Sequence, residues 1–74
     1  MKRVGIKAEM NALVIELVLK PGDAVKEGDT ILLLQSMKME IPVYSTTSGT
    51  LLELKVVEEQ AVQEGDDLAV IGFQ

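Results

Sequence analysis

The stretch Leu13-Val14-Ile15-Glu16-Leu17-Val18-Leu19-Lys20-Pro21-Gly22-Asp23-Ala24-Val25-Lys26-Glu27-Gly28-Asp29 decides the fold, because the chain repeats it. Gly28 and Gly65 stand 37 positions apart, half the chain length. At that offset Glu16 matches Glu53, Leu17 matches Leu54, Ala24-Val25 matches Ala61-Val62, Glu27 matches Glu64 and Asp29 matches Asp66. The apolar pairs Ile15/Leu52, Leu19/Val56 and Ile31/Leu68 align as well. Read alone, Leu51 to Glu64 has helix-like spacing and no Pro or Gly. Its first copy carries Pro21-Gly22, where a continuous helix would lose about 3 kcal/mol or more. Two copies with one structure are therefore strand-turn-strand.

Side-chain parity points the same way. Ile15, Leu17 and Leu19 are expected on one strand face, as are Leu52, Leu54 and Val56. The opposite faces mix Glu16, Val18 and Lys20, and Glu53, Lys55 and Val57. An aliphatic inner face and a mixed outer face describe half-buried antiparallel sheet. Further strands are expected at 3–8, at Thr30–Leu34, through the extended Ile41-Pro42-Val43-Tyr44, and at Leu68–Ile71. Two such halves would pack their inner faces together with approximate two-fold symmetry. The midpoint connection would then be a hairpin at one end.

At 74 residues the chain is expected to be one domain, 1–74. A domain of this size buries only about 60% of its unfolded surface. Without cysteine no disulfide or thiolate zinc site can staple it, and without histidine the commonest metal ligand and general base are missing. The core must be compact and aliphatic, which a 47% hydrophobic composition with one Phe and one Tyr allows. A net charge of −5 argues against a nucleic-acid partner, which needs a basic patch. No apolar run approaches the roughly 18 residues of a membrane helix, and no apolar signal core follows the basic N-terminus. The expectation is a soluble, cytoplasmic protein with no membrane or nucleic-acid partner.

The midpoint connection contains Gln35-Ser36-Met37-Lys38-Met39-Glu40. Lys38 is the one residue singled out for chemistry. A lysine used as a catalyst sits in an apolar pocket that lowers its pKa. A lysine to be acylated by another enzyme must protrude from a rigid turn. Methionine neighbours suit recognition of such a site because they are apolar and adaptable. The tripeptide by itself also fits ordinary strand alternation, with methionines inward and lysine outward. Asp23, Glu27 and Asp29, like Glu64, Asp66 and Asp67, lack the spacing of a calcium loop and read as turn chemistry. Ser45-Thr46-Thr47-Ser48 has no histidine base anywhere in the chain and reads as a solvated loop. No catalytic residue and no metal site is expected.

Met37-Lys38-Met39-Glu40-Ile41-Pro42-Val43, with Lys20-Pro21-Gly22-Asp23-Ala24-Val25-Lys26-Glu27-Gly28-Asp29 before it, resembles the attachment region of biotin carboxyl carrier proteins. Ser48-Gly49-Thr50 and Val62-Gln63-Glu64-Gly65-Asp66 resemble that family's second half. The resemblance covers roughly Ala8 to Ile71 and looks most like small stand-alone biotin/lipoyl attachment proteins. It implies an all-β flattened barrel or sandwich of two four-stranded antiparallel sheets. It implies biotin joined by an amide to Lys38 by a biotin-protein ligase, with Met37 and Met39 as flanking recognition residues. The biotin would then carry a carboxyl group from a biotin carboxylase to a carboxyltransferase, and the domain itself would not be an enzyme. Gln35 stands where the family usually has Glu, Ala12 where it often has Gly, and Glu59-Gln60 where the second half has Gly-Asp. Three other readings stay open: a lipoyl carrier moving acyl groups on the same fold, an acceptor of both biotin and lipoyl groups, and an unmodified interaction module.

Overall fold

The computed structural model describes all of residues 1–74 and contains eight strands and no helix. The strands are β1 (Lys2–Lys7), β2 (Ala12–Leu17), β3 (Ala24–Val25), β4 (Thr30–Ser36), β5 (Met39–Tyr44), β6 (Gly49–Leu54), β7 (Ala61–Val62) and β8 (Asp67–Phe73). They form two four-stranded antiparallel sheets, β1-β8-β6-β3 and β5-β4-β2-β7. The all-β sandwich expected from the repeat is the observed fold, and the stretch from Leu51 to Glu64 is strand-turn-strand. Thirteen buried side chains make one core between the sheets, with Val14, Ile31, Leu32, Leu51, Leu68 and Ile71 fully enclosed.

The duplication runs through every element. Adding 37 to the limits of β1, β2, β3 and β4 gives the limits of β5, β6, β7 and β8. The turns repeat too. The Gly28 N–H donates to the Ser45 carbonyl at 2.9 Å, and the Gly65 N–H donates to the Ala8 carbonyl at 2.8 Å. Asp29 accepts from the Lys26 N–H, and Asp66 accepts from the Gln63 N–H, each at 2.9 Å. Such Asp-capped turns are why the Gly-Asp blocks punctuate the strands.

Two sequence expectations need correction. The ladder between β2 and β4 shifts register between Val14 and Glu16, and that between β6 and β8 shifts between Leu51 and Glu53. The extra residues, Ile15 and Leu52, leave the inner face, and Val14 and Leu51 take their places in the core. Parity resumes beyond each bulge, so Leu17, Leu19 and Leu54 pack on the core and Val56 is buried within it. A strict period of two cannot register an inserted residue. The same device at Ile31 and Leu68 lets neighbouring residues, Ile31-Leu32 and Leu68-Ala69, all be buried.

The Ser45–Ser48 loop is the second correction, since Ser45 is buried rather than solvated. Its N–H donates to the Asp29 carbonyl at 2.8 Å, and its hydroxyl donates to the Thr47 carbonyl at 2.6 Å. The serine occupies the place of Ala8 in the other half, and its hydroxyl is satisfied within the loop, as a buried polar group requires.

Candidate functional site

Strand β4 lies between β5 and β2, so its backbone is paired along both edges. Ile31, Leu32 and Leu34 anchor it in the core. Its far end carries a hairpin to β5, with Leu34 opposite Ile41, Gln35 opposite Glu40 and Ser36 opposite Met39. Only Met37 and Lys38 remain to make the turn. Both have positive φ, 52° and 69°. A two-residue connection requires this, because that backbone twist matches the twist of the flanking strands. Asn-Gly is the usual occupant; a residue with a Cβ loses about 1–2 kcal/mol in the left-handed region. The paired strands hold the turn in this conformation despite that cost.

The geometry sends the lysine outward. Lys38 is exposed and takes part in neither of the molecule's two ion pairs, Lys7–Asp67 and Lys55–Glu53. Nor does it enter any side-chain hydrogen bond. Met37 is 92% and Met39 64% exposed, so the methionines do not point inward as plain strand alternation would have them. The tip presents one primary amine between two exposed thioether chains. The start of β2 and strand β7 flank the hairpin base, with Leu13 opposite both Gln35 and Ala61. Beside that base the Glu64 N–H donates to the Asn11 side chain at 2.9 Å, closing the neighbouring loop.

Such an amine is a nucleophile without a pocket. No group of three His, Cys, Asp or Glu side chains is placed to hold a metal ion. The arrangement fits an acyl group brought and activated by a second protein, since nothing on this chain crowds the amine or competes for it. Residue order alone located Lys38, at the midpoint of the duplication. It gave no sign of the two positive φ values, because neither Met nor Lys advertises a left-handed turn as Gly or Asn would.

The profile of the family described as "Biotin-requiring enzyme" matches residues 4–71. The "Biotinylated protein TB7.3 homolog" of Mycobacterium leprae is 42% identical over 66 residues, covering 89% of this chain and 93% of that protein. Among solved structures, the Kluyveromyces lactis urea carboxylase superposes with a TM-score of 0.91 at 28% identity. That match covers 97% of this chain but only 6% of the carboxylase chain. The lipoyl domain of the 2-oxoglutarate dehydrogenase complex from Azotobacter vinelandii superposes with a TM-score of 0.75 over 92% of this chain and 96% of its own. At 22% identity it shows likeness of fold alone.

Proposed function

The chain belongs to the family of biotin-requiring enzymes, and on that premise we propose that it is a biotin carboxyl carrier with Lys38 as its attachment point. One observation carries the reading: Lys38 stands exposed and unpaired on a two-residue turn whose conformation the β4–β5 ladder holds. A biotin-protein ligase supplies the activated carboxyl, and the Lys38 Nζ attacks it to form an amide. The proton leaves the amine and the activating group leaves the carbonyl. Met37 and Met39 give the ligase an apolar, adaptable surface on either side of the amine.

Held as an amide on Lys38, biotin would supply a ureido nitrogen able to carry a carboxyl group between a biotin carboxylase and a carboxyltransferase. This chain's part is mechanical. The rigid hairpin fixes the root of the arm, the lysine chain gives it reach, and tethering replaces free diffusion with a high effective concentration at each partner. Catalytic groups belong to the partners, and the reading places the chain in the cytoplasm with them.

Co-expression with a biotin ligase, and separately with a lipoate ligase, tests this by intact mass. The expected result is one biotinyl group per chain, absent in Lys38→Arg. A lipoyl gain alone would sink the reading in favour of an acyl carrier. No gain with either ligase, on folded protein, would leave an unmodified interaction module.

A further inference from the structure

The two sheets are not joined where their edge strands β1 and β5 face each other. A groove of about 470 Å³ lies there, walled by Gly5, Ile6 and Lys7 on one side and Pro42, Val43 and Tyr44 on the other. Those residues pair at the 37-residue offset, so the groove lies along the pseudo-two-fold axis and its walls can be compared position by position. Leu34 and Ile41 add an apolar floor.

The walls differ in what matters to another strand. An edge strand offers unpaired N–H and C=O groups to any extended chain. On β5 that offer is closed at Pro42, which has no N–H. Proline is tolerated in an edge strand where its nitrogen faces away from the ladder, so the nitrogen at this register faces the groove. Gly5 holds the equivalent register on β1 and therefore turns an N–H outward. Its φ is not in the left-handed region, and a Cβ built on it meets nothing within 4 Å. Neither backbone strain nor packing within the chain calls for glycine there, and glycine weakens a strand. It leaves room for the close approach of a further backbone.

Charge identifies what approaches. Lys2, Arg3 and Lys7 put three of the chain's seven cations on this one strand of a molecule with net charge −5; Lys7 is already paired with Asp67 at 2.8 Å, which leaves Lys2 and Arg3 without an acidic partner. Arg3, Gly5 and Lys7 share its outward face, while Val4 and Ile6 turn to the core. Cations can guard an edge by themselves. They do not explain an open glycine between them, opposite a proline that already guards the other wall. A second copy is disfavoured: antiparallel pairing of β1 through Gly5 sets Arg3 opposite Lys7, like charge against like.

We propose that β1 is a docking edge that takes an extended, acidic segment of a partner protein as an added strand. A carboxylate of that segment meets Arg3, and alternate residues lie over the apolar floor of the groove.

A blocked synthetic heptapeptide of alternating Glu and Val, titrated into the isotopically labelled full chain, tests the proposal by NMR. Amide shifts centred on Lys2–Lys7 are expected, with none from the Lys/Val counterpart. Gly5→Pro copies the closed wall and should weaken binding roughly tenfold by removing main-chain hydrogen bonding. Arg3→Glu should weaken it too, and it decides the matter if Gly5→Pro does not fold. The proposal falls if there is no shift up to roughly millimolar peptide, the weak end of association. It also falls if the shifts centre elsewhere, if the lysine peptide binds equally, or if the folded variants bind as well as the parent.

Discussion

Residues 2–36 and 39–73 follow one plan, with the same strand limits, bulges and turn hydrogen bonds at an offset of 37. Their differences show which requirements belong to the plan and which to single residues. In the first half the Asp23 carboxylate accepts the Lys20 N–H at 2.9 Å, and in the second the Gln60 amide oxygen accepts the Val57 N–H at 3.1 Å. The plan asks for an acceptor there, and two side chains supply it. Backbone demands are less forgiving. Gly22 takes φ 98° without cost, whereas Glu59 must hold φ 70° with a Cβ. Between the halves the difference is one of connection: the two-residue Met37-Lys38 turn joins the Ser36–Met39 pair, whereas the equivalent Lys2–Phe73 pair is joined by no turn.

The comparison breaks hardest at Gly49 and its twin Ala12. A Cβ on Gly49 would run into the Gly72 carbonyl oxygen, a backbone atom that cannot turn aside. Gly49→Ala is expected to cost about 1–3 kcal/mol in urea unfolding, as overpacking does. The reverse change, Ala12→Gly, is expected to cost about 0.5–1 kcal/mol through chain entropy. Equal costs would mean that β6 relaxes away from β8 and that the close approach is not a constraint.

The turns come next. Glu59→Gly should stabilise by up to about 1 kcal/mol and Gly22→Ala should destabilise by a similar amount, because each changes the left-handed cost by one Cβ. Thermal melts would read this as opposite shifts of about 4–8 °C per kcal/mol at this chain size. Shifts of the same sign would show that the two turns are not equivalent.

The smallest effect concerns a pair with no twin. Lys7 donates to Asp67 at 2.8 Å, while the matching positions hold Tyr44 and Thr30. Hydrogen bonding to Asp67, then its charge, raises the Lys7 amine above the usual 10.5. The hydrogen bond from Lys7, then its charge, lowers the Asp67 carboxyl below the usual 3.8. A lowered acid stabilises the fold above 3.8 and loses that effect as pH falls through its folded value; a raised amine stabilises below 10.5 and loses it as pH rises beyond. Both groups are exposed, so salt should screen the effect. Asp67→Asn should therefore flatten the melting temperature slightly on acidification below that value, and only at low ionic strength.

Most of the fold was legible because duplication turned one ambiguous stretch into two copies, and Pro21-Gly22 in the first ruled out a helix in the second. The position of Lys38 at a hairpin tip was legible from its place between the copies. Ile15 and Leu52 were misplaced because a bulge leaves no mark in a pattern of aliphatic residues, any of which can face in or out. The burial of Ser45 escaped notice because a serine that satisfies its hydroxyl within its own loop reads like a solvated one.

By itself the sequence determined the all-β class, the two-copy plan and the residue at the hairpin tip, since these rest on order, spacing and proline chemistry. Tertiary structure alone decided which aliphatic residues make the core, because register shifts arise only when strands pair. It alone forced Met37 and Lys38 into the left-handed region, since two ladder-fixed strands leave no other way to connect Ser36 to Met39. And it alone set Gly5 against Pro42, through a symmetry axis that brings positions 37 apart to face each other across one groove.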